Sequence, residues 1–182
     1  EQFVKTQTFT KLKNGIAVYK DLKKILFFDV VQPSTFEIHK DLGAGSLAIE
    51  ISAYGEKIFT NCGGSEVGGK NPAYLKYSAA HSTIILDNTN VSEIKEFGFS
   101  KNFVKKVNFE TKNDDNSFIF SGTHNGYLIN YKKICKRILY ISKNKELLRG
   151  EDTIISTQSI IKKNVFHIRF HLMPDISTTI TE

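Results

Sequence analysis

Hydrophobic and polar positions alternate in short bursts along this chain and never settle into the rhythm of a long helix. The clearest burst is Ser46–Ala53. Leu47, Ile49 and Ile51 fall on one side and Ser46, Ala48, Glu50 and Ser52 on the other. Thr8–Leu12 and Ile16–Lys20 flank Lys13-Asn14-Gly15, and an Asn-Gly pair between extended segments predicts a tight hairpin. Ile25–Val31 reads as a buried strand closed by Gln32-Pro33-Ser34, and Tyr54-Gly55-Glu56 turns the chain into Lys57–Asn61. A glycine-rich loop follows from Gly63 to Pro72. Further strands are expected at Ser82–Asp87, Phe103–Thr111, Ser117–Ser121, Tyr127–Lys132 and Ile134–Ser142. Glu146–Arg149, Asp152–Ser156 and Val165–Leu172 complete the set, and the tail Asp175–Glu182 has strand composition. The polar stretches Asn113–Asn116 and Lys143-Asn144-Lys145 read as turns. This pattern predicts an all-β fold, an antiparallel β-sandwich of stacked sheets, with residues 1–182 forming one domain.

Composition narrows the function classes. The 182 residues suffice for a sizeable core without disulfide staples, and 40% hydrophobic with 24% charged residues is ordinary globular usage. The net charge is +6, but only Arg137, Arg149 and Arg169 are arginines; the other basic residues are lysines spread along the chain. Basic and aromatic residues are not interleaved on one element, which argues against a nucleic-acid platform. The excess charge suits either a solvated lysine surface or an acidic polysaccharide partner. No run approaches the ~18 apolar residues of a membrane helix, and no signal peptide is expected within these residues. The chain begins at Glu1 and its one methionine is Met173, so it is expected to be a processed or excised piece. Cys62 and Cys135 are too few for a disulfide framework, and whether they pair stays open.

Generic motifs are sparse. The Gly63-Gly64 to Gly68-Gly69 stretch lacks the Gly-Lys-Ser/Thr and the following helix of a phosphate loop. Neither cysteine has an acid or base beside it in sequence, so a thiol nucleophile is not expected. His167 and His171 lie four apart on one predicted strand, on the same side but well separated, a poor pair of metal ligands.

Six segments taken together resemble the heparinase II/III-like polysaccharide lyases. Ala79-Ala80-His81-Ser82-Thr83-Ile84-Ile85-Leu86-Asp87 is similar to that family's Ala-His-Ser/Asn-Thr strand. Leu47–Ser52 resembles its Leu-Ser-Phe-Glu-Leu-Ser strand, and Asn61-Cys62-Gly63 its Asp/Asn-x-Gly. His124-Asn125-Gly126-Tyr127, Gly150-Glu151-Asp152 and Arg169-Phe170-His171-Leu172-Met173-Pro174 resemble three further segments, in the family's order. The resemblance covers roughly residues 10 to 174 and only the carboxy-terminal β domain of those enzymes.

The resemblance implies a piece of a larger protein with an amino-terminal α/α toroid as partner domain. It implies β-elimination on a uronate-containing acidic polysaccharide, such as a glycosaminoglycan or alginate, in the periplasm or outside the cell. The parent protein would be the lyase, and the fragment alone would be inactive. The alternative is a non-catalytic carbohydrate-binding or scaffold domain. By resemblance, His81 and His39 are the candidates for proton transfer; Tyr77, Asn61, His124 and Tyr127 are candidates for substrate contact. His81 is read either as substrate-facing or as a core histidine that holds a loop. His124 and Tyr127 also have a structural reading. Glu50, Arg169 and His171 are expected to be structural polar residues, Arg169 paired with a carboxylate of Glu151, Asp152 or Glu50. The sequence departs from the family where Gly43 stands in place of a histidine and where Cys135 precedes Arg137. Some members hold a structural zinc. With Gly43 and Asn61 in two of its ligand positions, no metal and no cofactor is expected here.

Overall fold

Asn14 and Gly15 both take positive φ, 50° and 79°, as the two-residue turn of a hairpin requires. They join β1 (Phe9–Lys13) to β2 (Ile16–Lys20). The structure, a computed structural model, describes residues 9–31, 43–63, 73–95, 98–159 and 163–181. Beyond β2 the chain forms β3 (Lys24–Asp29), β4 (Ile49–Ala53) and β5 (Glu56–Thr60). Two 3-10 turns, Ala73–Lys76 and Ser78–Ala80, precede β6 (Ile84–Leu86). A hairpin of β7 (Ser92–Lys95) and β8 (Gly98–Asn102) leads to β9 (Val107–Asn113) and β10 (Ser117–His124). The helical turn α1 (Leu128–Tyr131), β11 (Lys133–Ser142), β12 (Leu148–Ser156), β13 (Phe166–Ile168) and β14 (His171–Leu172) follow.

The strands form a six-stranded antiparallel sheet in the order β1-β2-β3-β4-β5-β14 and a four-stranded one in the order β12-β11-β10-β9. Alternation decides which residues face inward. Tyr19, Leu26, Phe28, Ile49 and Ile51 from the first sheet meet Phe118, Phe120, Leu139 and Ile141 from the second. Ring contacts lock the two layers: Tyr19 lies 5.7 Å from Phe118, and Phe28 stacks 6.1 Å from Phe120. This is the all-β, stacked-sheet architecture expected from the pattern. At one end Lys24 spans the layers, its Nζ donating to the carbonyls of Ser142 (2.7 Å) and Lys145 (3.0 Å) and facing Asp21.

Several local expectations are corrected. Tyr127–Lys132 is a helical turn instead of a strand. Tyr127 is anchored in the core, and Lys132 ends the turn in the left-handed conformation, φ 56°. The expected strand Phe103–Thr111 begins only at Val107, because Asn125 Oδ1 accepts the N–H groups of Lys105 (2.8 Å) and Lys106 (2.9 Å). That removes them from any sheet ladder. The expected strands Glu146–Arg149 and Asp152–Ser156 are replaced by one strand, β12, which begins only at Leu148 and is continuously paired with β11. Residues 173–181 hold no strand, and a turn closed by Ile176 N–H on the Met173 carbonyl opens that segment. The glycine-rich stretch 64–72 lies outside the described residues.

Candidate functional site

Ser82 is wholly buried, and each of its polar groups is engaged. Its N–H donates to Asn61 Oδ1 (2.8 Å); its hydroxyl donates to the Thr60 carbonyl (2.9 Å) and accepts the N–H of His171 (3.0 Å). Its carbonyl accepts Arg137 Nη1 at 2.7 Å. Thr83 Oγ1 donates to the Ser46 carbonyl (2.7 Å), and Ser78 Oγ donates to the Ala44 carbonyl (2.7 Å). Small hydroxyl residues at 78, 82 and 83 therefore clamp segment 43–48 against the entry to β6. No larger side chain would satisfy so many backbone groups in so little space.

That clamp seats His81. Its Nδ1 lies 2.8 Å from the Tyr77 carbonyl oxygen, which can only accept, so Nδ1 carries the hydrogen and, among the described residues, the Nε2 lone pair has no partner. Nε2 faces Gly43, where an added Cβ would lie 2.3 Å from it; at Gly45 a Cβ would lie 2.4 Å from Cδ2. The two glycines thus make room for the imidazole. Burial pushes the His81 pKa below its ordinary value, opposed by the Tyr77 hydrogen bond; His171 adds to the lowering and Glu50 opposes it.

Beside His81 lies a cavity of about 230 Å³, bordered by Asp29, Glu50, Asn61, Lys76 and Gly43. Burial raises the Asp29 pKa to about 6, against the hydrogen bond from the Val31 N–H (3.0 Å). Asn61 is a strut between two elements: its Nδ2 donates to Glu50 Oε1 at 2.9 Å while its Oδ1 holds Ser82. Tyr77 stands four residues before His81 and is 37% exposed.

Other predicted residues fall elsewhere. His39 lies outside the described residues. His124 and Tyr127, read as candidate substrate contacts, are each 1% exposed and offer no surface to a ligand. His124 Nδ1 accepts the Gly126 N–H (3.1 Å), and burial with Arg137 nearby lowers its pKa to about 4. The Tyr127 hydroxyl donates to the Thr89 carbonyl (2.8 Å), and burial pushes its pKa up. Arg169 is not the paired arginine: its buried Nε has no hydrogen-bond partner, and Glu50 is engaged by Asn61 instead. His171 is held by its Nε2 on the Ala79 carbonyl (2.9 Å) and its Nδ1 near Cys62 Sγ (3.6 Å). Cys62 and Cys135 are both free thiols.

The buried ion pair belongs to Arg137. It is 1% exposed, with Nε 2.7 Å from Asp152 Oδ1, Nη2 2.8 Å from Oδ2, and Nη1 on the carbonyls of Leu47 (2.9 Å) and Ser82. Arg137 and Asp152 are direct cross-strand partners. On β11 the buried face holds Lys133, Cys135, Arg137, Leu139 and Ile141; the other face, Ile134, Lys136, Ile138 and Tyr140, is just as apolar in sequence, so alternation alone does not single out this arginine.

Among the described residues the donors do not suit a zinc ion. Gly43 has no side chain, Asn61 already spends both ends of its amide, and among the described residues no three His, Cys, Asp or Glu side chains converge.

Two solved structures of a heparinase III, the BT4657 gene product, share this fold. The form with methylated lysines matches with a TM-score of 0.60 at 13% identity, over 85% of this chain and 22% of its own. The second matches with a TM-score of 0.60 at 12% identity, over 85% of this chain and 23% of its own. The chain thus spans less than a quarter of either. A search of curated proteins by sequence returned no match. The family model described as heparinase II/III-like, C-terminal, matches residues 9–182, so the chain belongs to that family as its C-terminal β domain.

Proposed function

We propose that this domain forms one wall of the active-site cleft of a polysaccharide lyase. Its substrate would be a uronate-containing acidic polysaccharide, and the opposite wall would come from an amino-terminal α/α toroid. The observation that carries the reading is His81, whose Nε2 lone pair borders the cavity while Nδ1 is tied to Tyr77. In β-elimination a base takes the C5 proton beside the sugar carboxylate, the C4–O bond breaks and a C4–C5 double bond forms. Proton abstraction needs a neutral imidazole, and burial keeps His81 in that form at neutral pH. Tyr77, partly exposed and next in sequence to the cavity-lining Lys76, offers a ring for a sugar face. The charge that neutralises the substrate carboxylate is assigned to the toroid.

The intact protein is assayed on a panel of acidic polysaccharides for the ultraviolet absorbance of unsaturated uronides. The expected result is a rise on at least one polymer, abolished in His81→Gln with its melting temperature retained. Absence of any rise, or full activity of His81→Gln, overturns the proposal.

A second reading is a non-catalytic binding or scaffold domain. Its scaffold form is favoured by Asp29 and Glu50 bordering the cavity, where carboxylates repel a uronate, and either form by Gly43 in place of a histidine. Retention on heparin or alginate that fades with salt, without turnover, supports binding. No retention leaves the scaffold role.

A further inference from the structure

Cys62 and His171 are 109 positions apart in sequence, yet the fold sets Sγ 3.6 Å from the imidazole Nδ1. The tautomer is decided by the other ring nitrogen. His171 Nε2 lies 2.9 Å from the Ala79 carbonyl oxygen, which can only accept, so Nε2 carries the hydrogen and Nδ1 is the acceptor for the thiol. The same turn fixes the cysteine: Cys62 N–H donates to the Ala80 carbonyl at 2.8 Å. His171 is held from behind as well, by its own N–H on Ser82 Oγ (3.0 Å). A nucleophile, a base within reach, and a third group orienting that base are the parts of an activated thiol. Cys62 is exposed, so the thiol is open to a reagent. Cys135 is the opposite case: it is fully buried, and burial pushes its pKa up to about 12.

We infer that Cys62 and His171 form a thiol–imidazole pair, making Cys62 a site of covalent modification by small disulfides and soft electrophiles. In exchange with a low-molecular-weight disulfide, the Cys62 S–H proton passes to His171 Nδ1. The sulfur attacks one sulfur of the disulfide, the S–S bond breaks, and the departing thiolate takes the proton from the imidazolium. The products are a mixed disulfide on Cys62 and one free thiol. The pair stands apart from the lyase reading, since it needs neither substrate nor toroid. An adduct there would sit between Asn61 and Gly63, at the border of the cavity beside His81.

The test measures alkylation of the intact native protein by iodoacetamide and thiolation by oxidised glutathione. Peptide mass spectrometry reads Cys62 and Cys135 separately. At neutral pH only a few per cent of an ordinary thiol is ionised, which caps the gain from an adjacent base at roughly 30-fold. Cys62 is expected to be alkylated about tenfold faster than reduced glutathione, within that cap. It should form the glutathione mixed disulfide while Cys135 stays unmodified. His171→Gln should bring the Cys62 rate down to that of glutathione. Where His171→Gln does not fold, the comparison is Cys62 in the native protein against the same residue in denaturant, with the native form expected to react faster. The inference is overturned if native Cys62 reacts no faster than glutathione, no faster than in denaturant, or equally fast in folded His171→Gln.

Discussion

Replacing Arg137 by methionine removes the guanidinium from the buried edge of the site and keeps most of its volume. Four hydrogen bonds are lost: two to Asp152, one to the Leu47 carbonyl and one to the Ser82 carbonyl. The largest loss is at Asp152, whose side chain is 10% exposed and would keep a charge without a partner. Breaking a buried pair from one side costs about 3–5 kcal/mol. The Ser82 carbonyl retains the Ile49 N–H at 3.3 Å, so the orphaned carbonyls add only a minor share. For a chain of this size, 1 kcal/mol moves the melting temperature by roughly 2–4 °C, so the expected fall is about 6–20 °C. Urea titration followed by circular dichroism measures the free energy directly. The double variant Arg137→Met with Asp152→Leu should recover most of the loss, leaving about 1 kcal/mol for the carbonyls. A single variant within about 1 kcal/mol of the parent would refute the argument. So would a double variant no more stable than the single one.

Gly43→Ala puts a Cβ 2.3 Å from His81 Nε2, so the imidazole must leave its seat. The expected cost is about 1–3 kcal/mol, and an unchanged melting temperature with unchanged His81 imidazole resonances would contradict the close packing. The pH profile depends on two groups of opposite sign. Asp29 has a folded pKa of about 6 against an ordinary 3.8, so its contribution is present at low pH and lost as pH rises through about 6. Asp29→Asn should therefore gain about 1–3 kcal/mol on the parent between about pH 4 and pH 7, and a constant difference in urea midpoints would count against it. His124 has a folded pKa of about 4 against 6.5, so its contribution is present above about 6.5 and lost as pH falls toward 4. His124→Gln should flatten that acid-side loss of about 3 kcal/mol; an equally steep acid limb in the variant would disprove it.

What the sequence alone determined follows from local physics. Period-two alternation and the Asn14-Gly15 turn specify antiparallel strands, because side-chain direction and turn handedness are properties of neighbouring residues. Strand boundaries were less legible where a side chain, Asn125, captures backbone groups about twenty residues away, and on β11 both alternating faces carry apolar residues, so the pattern did not single out Arg137 as inward. Tertiary structure alone decided which polar groups meet. Arg137 rather than Arg169 faces Asp152, since pairing of β11 with β12 sets them opposite. His124 and Tyr127 are withdrawn into the core and His81 is left at the cavity, because burial depends on the sheets packing together. Cys62 found its base in His171 only when β14 docked on β5, a contact between residues whose separation along the chain carries no local signal.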